Sequence, residues 1–147
     1  MDEQVGIAVL GCGNWGMNYI RTFSELSESR VLVACDKNPN GLHEVGERFP
    51  GVILTTDFEH ALSVTGVDAV VVCTEATNHF RNGLRALAAG KHALIEMPMA
   101  TTSSHAEDMR LTADALDLTL MVGHTSVYNP GIQKIGEYIQ NGEVGRV

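Results

Sequence analysis

The sequence predicts a single α/β domain built on a doubly wound parallel sheet, and three observations predict it. Short apolar runs of strand length recur along the 147 residues. Stretches of helical periodicity separate them. Several of the runs are continuous rather than alternating, as expected of strands covered on both faces. Parallel strands need crossovers, and right-handed crossovers place helices on both sides of an open sheet.

The elements follow in order. The first strand, Val5 to Leu10, precedes a helix whose inward residues are Trp15, Tyr19, Phe23 and Leu26 at helical spacing. The second strand is Val31 to Cys35, after which Asn38-Pro39 starts a helix with Leu42, Val45 and Phe49 inward. Val52 to Leu54 forms the third strand, and Asp57 caps the helix that follows. The fourth, Ala69 to Cys73, leads to a helix carrying Phe80, Leu84 and Leu87 that ends near Ala89, with Gly90 as its stop. His92 to Ile95 is the fifth strand, and the next helix turns Met109, Ala113 and Leu116 inward. Leu118 to Val122 is the sixth, followed by a polar turn at Gly123-His124. A last helix runs from about Pro130 to Gln140, with Ile132, Ile135 and Ile139 on its buried face. Gly142 to Val147 reads as a turn into a strand that is not completed, so residues 1–147 are expected to form one domain ending at a domain boundary.

Composition narrows the function. Hydrophobic residues make up 44% and charged residues 19%, the balance of a packed globular protein. The formal charge of −8 opposes binding to a phosphate backbone, so nucleic acid is not an expected partner. Asp2-Glu3-Gln4 behind Met1 is not a positively charged leader, and no apolar run reaches the roughly 18 residues of a membrane span. No membrane is expected, and the cytoplasm is the expected compartment. Cys12, Cys35 and Cys73 form neither a disulfide framework nor a CxxC metal pattern. Cys35 and Cys73 read as small buried hydrophobes, whereas Cys12 lies in a loop. His43, His60, His92 and His105 have no metal-like spacing, so no metal site is expected.

The chemistry gathers after the first strand. Gly11-Cys12-Gly13-Asn14-Trp15-Gly16 is a G-x-G-x-x-G between that strand and an amphipathic helix. The first glycine permits the tight turn, the second lets a pyrophosphate approach the backbone, and the third lets helix and strand pack closely. Free N–H groups at the helix start face the phosphates. Asp36 ends the second strand twenty residues beyond Gly16, placed to accept hydrogen bonds from adenosine ribose hydroxyls. Order and spacing together point to a Rossmann-type dinucleotide-binding fold. Asp36 would repel a 2′-phosphate, which favours NAD; Lys37 beside it offsets part of that repulsion and leaves NADP open. Trp15 can line the cofactor's edge or pack on the core.

With these motifs and others, the chain resembles the Gfo/Idh/MocA-type oxidoreductases, the glucose–fructose oxidoreductase and inositol dehydrogenase family. The further motifs are Cys73-Thr74 with His79 in the next helix, Glu96-Met97-Pro98 after the fifth strand, and Gly123-His124 with Tyr128-Asn129-Pro130 after the sixth. The look is closest to the sugar-nucleotide 3-dehydrogenases. The resemblance implies an N-terminal cofactor domain followed by a substrate domain that this chain lacks, and oxidation or reduction of a secondary alcohol by hydride exchange with nicotinamide. The implied partners are nicotinamide dinucleotide and, in the full-length enzyme, a carbohydrate-like small molecule. The surface left by the second domain implies a homo-oligomer.

The implied cofactor-binding residues are Gly11, Gly13, Asn14, Trp15, Gly16, Asp36, Thr74, His79, Glu96 and Met97. No residue is assigned as catalytic; Glu96 and His124 are the two candidates. The departures carry weight. Met97 stands where the family has lysine, and a thioether cannot titrate. Glu75 replaces the family's usual proline after Thr74, and Val127 an arginine before the Asn-Pro pair. The alternative to a dehydrogenase domain is therefore a dinucleotide-binding or regulatory module that does not catalyse.

Overall fold

The computed structural model describes residues 4–146, so Asp2 and Glu3, read above as no leader, and Val147 of the uncompleted strand lie outside the described residues. Six strands form one parallel sheet: β1 Val5–Leu10, β2 Ser29–Cys35, β3 Ile53–Thr55, β4 Ala69–Val72, β5 His92–Ile95 and β6 Leu120–Val122. Between and after them run α1 Asn14–Glu25, α2 Pro39–Arg48, α3 Phe58–Ser63, α4 Ala76–Ala88, α5 Ser103–Ala115, a 3₁₀ turn Thr125–Tyr128 and α6 Pro130–Gln140.

The strand order is β3-β2-β1-β4-β5-β6. Chain direction across the sheet reverses between β1 and β4, the point at which open α/β sheets leave a crevice beyond their strand ends. Register makes that crevice continuous. Leu10 is level with Cys35 and Val72, Val72 with Ile95, and Ile95 with Val122. The loops after five strands therefore gather along one edge.

Two cores cover the two faces. On one, Ile20 of α1 and Leu42 and Val45 of α2 pack on Ile7, Val9 and Val71. On the other, Ala61 and Leu62 of α3, Ala86 and Leu87 of α4 and Met109 and Ala113 of α5 pack on Ala8, Val70 and Ile95. The central strands are buried on both sides, which is why they read as continuous apolar runs. The expected caps are present: the side chains of Asn38 and Asp57 accept from the N–H groups of Asn40 and Glu59, and Gly90 takes a φ of +73° after α4.

The structure departs from the sequence reading at the margins. β3 and β6, the edge strands, pair on one side only; β3 is shifted one residue and β6 is shorter than expected. α1 buries Gly16 and Ile20, while Trp15 and Leu26 are exposed. A Cβ at Gly16 would stand 1.8 Å from the Gly11 carbonyl oxygen. That close approach turns the Gly16–Ile20 stripe to the sheet and leaves Trp15 and Leu26 at the ends of α1 in solvent, while Tyr19 and Phe23 between them pack, half-buried, against the core as expected. Leu116 is likewise exposed, because it lies past the last turn of α5. The largest correction is α6, whose Ile132, Ile135 and Ile139 are 50%, 53% and 41% exposed. Its periodicity is that of a buried helix, yet none of its residues is buried within this chain. Among the described residues no helix is long and apolar enough to cross a membrane.

Candidate functional site

The glycine loop builds the centre of the site. Gly11 has a φ of +92°, and a Cβ there would meet the Cys73 carbonyl at 2.6 Å, so the turn out of β1 requires glycine on two counts. Gly13 is different: a Cβ at that position would meet nothing within 4 Å. Its face opens onto solvent at the N-terminus of α1, where no side chain caps the helix. The first-turn N–H groups, those of Asn14 and Trp15 included, have no partner within the helix and can receive an anion. Gly16 sits beneath them, buried, and draws the helix against the loop.

Asp36 closes one side. Its Oδ2 accepts the Cys12 N–H at 2.6 Å and its Oδ1 accepts the Asn38 N–H at 2.8 Å. The carboxylate is fixed to the glycine loop by one oxygen and to the start of α2 by the other, and both oxygens retain lone pairs for further donors. A cleft of about 390 Å³ runs from Gly11 and Gly13 past Asp36 and Lys37 to Thr74 and Glu75, floored by Leu10. Arg85 lines it while paired with Glu59 and lying 4.5 Å over the Phe58 ring.

The loops after β4 and β5 close the other side. Thr74 Oγ1 accepts from the side-chain amide of Asn82, a buried polar residue on the inner face of α4. His79 is buried, with Nδ1 2.7 Å from the Pro98 carbonyl oxygen and Nε2 2.7 Å from that of Thr74. It ties the two loops together from below and shows no face to the cleft. Glu96 is buried to 9% exposure; its Oε1 accepts from the Tyr19 hydroxyl at 2.7 Å and its Oε2 from the Met97 N–H at 3.0 Å. Met97 is 45% exposed. His124 immediately precedes the 3₁₀ turn after β6 and is exposed, as is Val127.

The structure thus brings Gly11, Gly13, Asn14, Trp15, Asp36, Thr74, Glu96 and Met97 to one edge of the sheet, and puts Gly16 and His79 under it as supports. Two polar residues of the site are not singled out by the sequence. Asn82 and Tyr19 both lie on inward helix faces, and a buried polar group on such a face needs a partner; that requirement was the available signal.

All three cysteines are free, and the surroundings of each disfavour its thiolate. Burial raises the Cys12 thiol to about 12 and the Cys35 thiol to about 11, with the Asp36 carboxylate adding to both. Cys73 is also raised, first by burial and then by the charge of Glu96. Cys12 lies in a loop, as expected, and is buried there because the glycine loop folds back until Cys12 Sγ lies 3.7 Å from the Cys35 carbonyl, whereas Cys73, expected buried, is half-buried. Tyr19 is raised as well, by burial and then by its bond to Glu96, and stays a donor.

Comparison with known proteins gives the family. Residues 5–124 match the Gfo/Idh/MocA model, described as an oxidoreductase family with an NAD-binding Rossmann fold. The chain is 29% identical over 94% of its length to 4-carboxy-2-hydroxymuconate-6-semialdehyde dehydrogenase of Sphingobium sp. strain NBRC 103272 / SYK-6, covering 44% of that protein. It is 30% identical over 99% of its length to inositol 2-dehydrogenase of Streptomyces avermitilis, covering 43% of it. Among solved structures, the WlbA dehydrogenase of Bordetella pertussis, in complex with NADH and UDP-GlcNAcA, superposes with a TM-score of 0.88 at 24% identity over 99% of this chain and 42% of that one. That likeness shows the fold. The chain spans less than half the length of these relatives.

Proposed function

We propose a function from the premise that this chain belongs to the Gfo/Idh/MocA oxidoreductase family, whose NAD-binding Rossmann domain its residues 5–124 match. The chain is the cofactor domain of a dehydrogenase acting on a secondary alcohol of a sugar, cyclitol or sugar nucleotide. One relative is an inositol 2-dehydrogenase, which supports a polyol-like substrate. The observation that carries the reading is the open face of Gly13 at an uncapped helix start, with the Asp36 carboxylate anchored to the same loop.

The residues fit a nicotinamide dinucleotide. Gly11, Gly13 and the first-turn N–H groups of Asn14 and Trp15 would hold the pyrophosphate, and a methyl group at Gly13 would occupy that space. Asp36 would hold the adenosine ribose, and its charge opposes a 2′-phosphate, which makes NAD the preferred form. Thr74, Glu96 and Met97 would bound the nicotinamide half, with Gly16 and His79 keeping the loops in place. When bound, the cofactor supplies hydride exchange with a carbinol carbon. This chain's residues bind it, orient it and leave the edge beyond β5 and β6 open to substrate.

Met97 favours a second reading, a dinucleotide-binding module without catalysis. Its exposed thioether lies where the family has an ammonium, and it can neither donate nor take up a proton. Both readings require the nucleotide to bind. Calorimetric titration with NAD⁺ and with NADP⁺ tests that requirement: NAD⁺ is expected to bind more tightly, and Asp36→Ala to weaken NAD⁺ by about tenfold or more, the loss of hydrogen bonds to a charged acceptor. No binding of either nucleotide to the folded chain would overturn the reading. The chain is also proposed to self-associate, on the ground of the apolar face that α6 leaves exposed.

A further inference from the structure

Three elements converge on one carboxylate at the carboxyl edge of the sheet. Glu96 leaves the end of β5 almost buried. Tyr19, three residues past the last glycine of the loop, reaches it from α1, and the phenol donates to Oε1 at 2.7 Å. The other oxygen accepts the Met97 N–H. From the far side comes Gly123, the residue after β6, where a Cβ would stand 2.9 Å from both Glu96 Oε1 and the Tyr19 hydroxyl. The third element is bare where the pair needs room. Each carboxylate oxygen is thus taken by a donor from a different direction, which fixes the rotation of a side chain that would otherwise move freely about three bonds.

A bond between two partners 77 positions apart in the chain, at a sheet edge, links the glycine-loop helix to the loop after β5. Cys73 beside Glu96 remains a neutral thiol and places no second charge there. We propose that Tyr19 is a positioning residue that sets the direction of the Glu96 carboxylate and thereby the site's hold on the nicotinamide half of a dinucleotide. The proposal rests on the reading that Glu96 faces that half. It assigns to a phenol on α1 the alignment of the pocket in which Met97 supplies no charge.

The test separates the two halves of the cofactor. The chain and its Tyr19→Phe, Glu96→Gln and Gly123→Ala variants are titrated with NAD⁺ and with ADP-ribose, which lacks nicotinamide. The expected result is that Tyr19→Phe weakens NAD⁺ about tenfold, the scale of losing a hydrogen bond to a charged group, and leaves ADP-ribose unchanged. Gly123→Ala, which crowds the pair without removing either partner, is expected to do the same. The double variant Tyr19→Phe/Glu96→Gln is expected to bind NAD⁺ no more weakly than Glu96→Gln alone, because Tyr19 acts through Glu96. In the free protein, Glu96→Gln is expected to let one of the three tyrosines ionise at lower pH, read by phenolate absorbance. Equal weakening of NAD⁺ and ADP-ribose by Tyr19→Phe would reduce Tyr19 to a packing residue and overturn the proposal. So would a Tyr19→Phe variant with unchanged NAD⁺ affinity beside a weakened Glu96→Gln. If Glu96→Gln itself leaves NAD⁺ untouched, the placing of Glu96 at the nicotinamide half has failed, and the proposal with it. Failure of both nucleotides to bind the parent chain would overturn the dinucleotide reading and the proposal together.

Discussion

Gly13 and Gly16 stand three residues apart in opposite surroundings. A methyl group at Gly16 would be driven against the Gly11 carbonyl at 1.8 Å, and backbone cannot step aside cheaply. One at Gly13 would meet no protein atom within 4 Å, on a residue with a φ of −72° that any amino acid adopts. Gly16→Ala is therefore expected to lose about 1–3 kcal/mol of stability in denaturant unfolding, the range for overpacking. Gly13→Ala is expected to unfold within about 1 kcal/mol of the parent, while its NAD⁺ affinity falls by at least about tenfold, or 1.4 kcal/mol. Equal effects of the two substitutions on both readouts would contradict this division. The two surroundings are legible in the sequence, since the order strand, G-x-G-x-x-G, helix puts Gly16 against the turn and leaves Gly13 at the open helix start, and Asp36 follows at the expected distance. The partners of Tyr19 and Asn82 are not. Periodicity shows that such a residue faces inward; which atom it meets depends on strand order and register, which bring together residues 77 positions apart.

At the scale of elements, punctuation was legible and orientation was not. Asn38, Asp57 and Gly90 mark helix ends by local hydrogen bonding and backbone geometry, and local rules suffice to find them. The face a helix presents is a tertiary matter. In α1 two adjacent stripes compete, and the close approach at Gly16 selects Ile20 over the larger Trp15. α6 shows the complement: a continuous stripe of Ile132, Ile135 and Ile139 that the chain itself does not cover. Such a stripe is expected to self-associate in isolation. Sedimentation of the chain over rising concentration should show species larger than the monomer, and Ile135→Glu should return them to the monomer. A strictly monomeric parent at the highest concentration would remove the proposed association.

For the whole molecule, the alternation of strands and helices was enough to give a doubly wound parallel sheet, because parallel strands and crossovers of this length admit few other arrangements. The edges were harder, since β3 and β6 bury little and carry a short signal. What the sheet does for function is to bring level the ends of β1, β2, β4, β5 and β6, so that loops distant in sequence share one edge. The central claim is that a nicotinamide dinucleotide lies along this edge, from Asp36 across Gly13 to Thr74 and Glu96. The measurement that tests it most directly is a heteronuclear NMR titration of the labelled chain with NAD⁺, following every backbone amide. The shifts are expected to concentrate at residues 11–16, 36–38, 74–78 and 96–97, with the opposite edge, residues 27–29, 66–68 and 90–92, silent. Shifts centred on that opposite edge, or none at saturating NAD⁺, would contradict it.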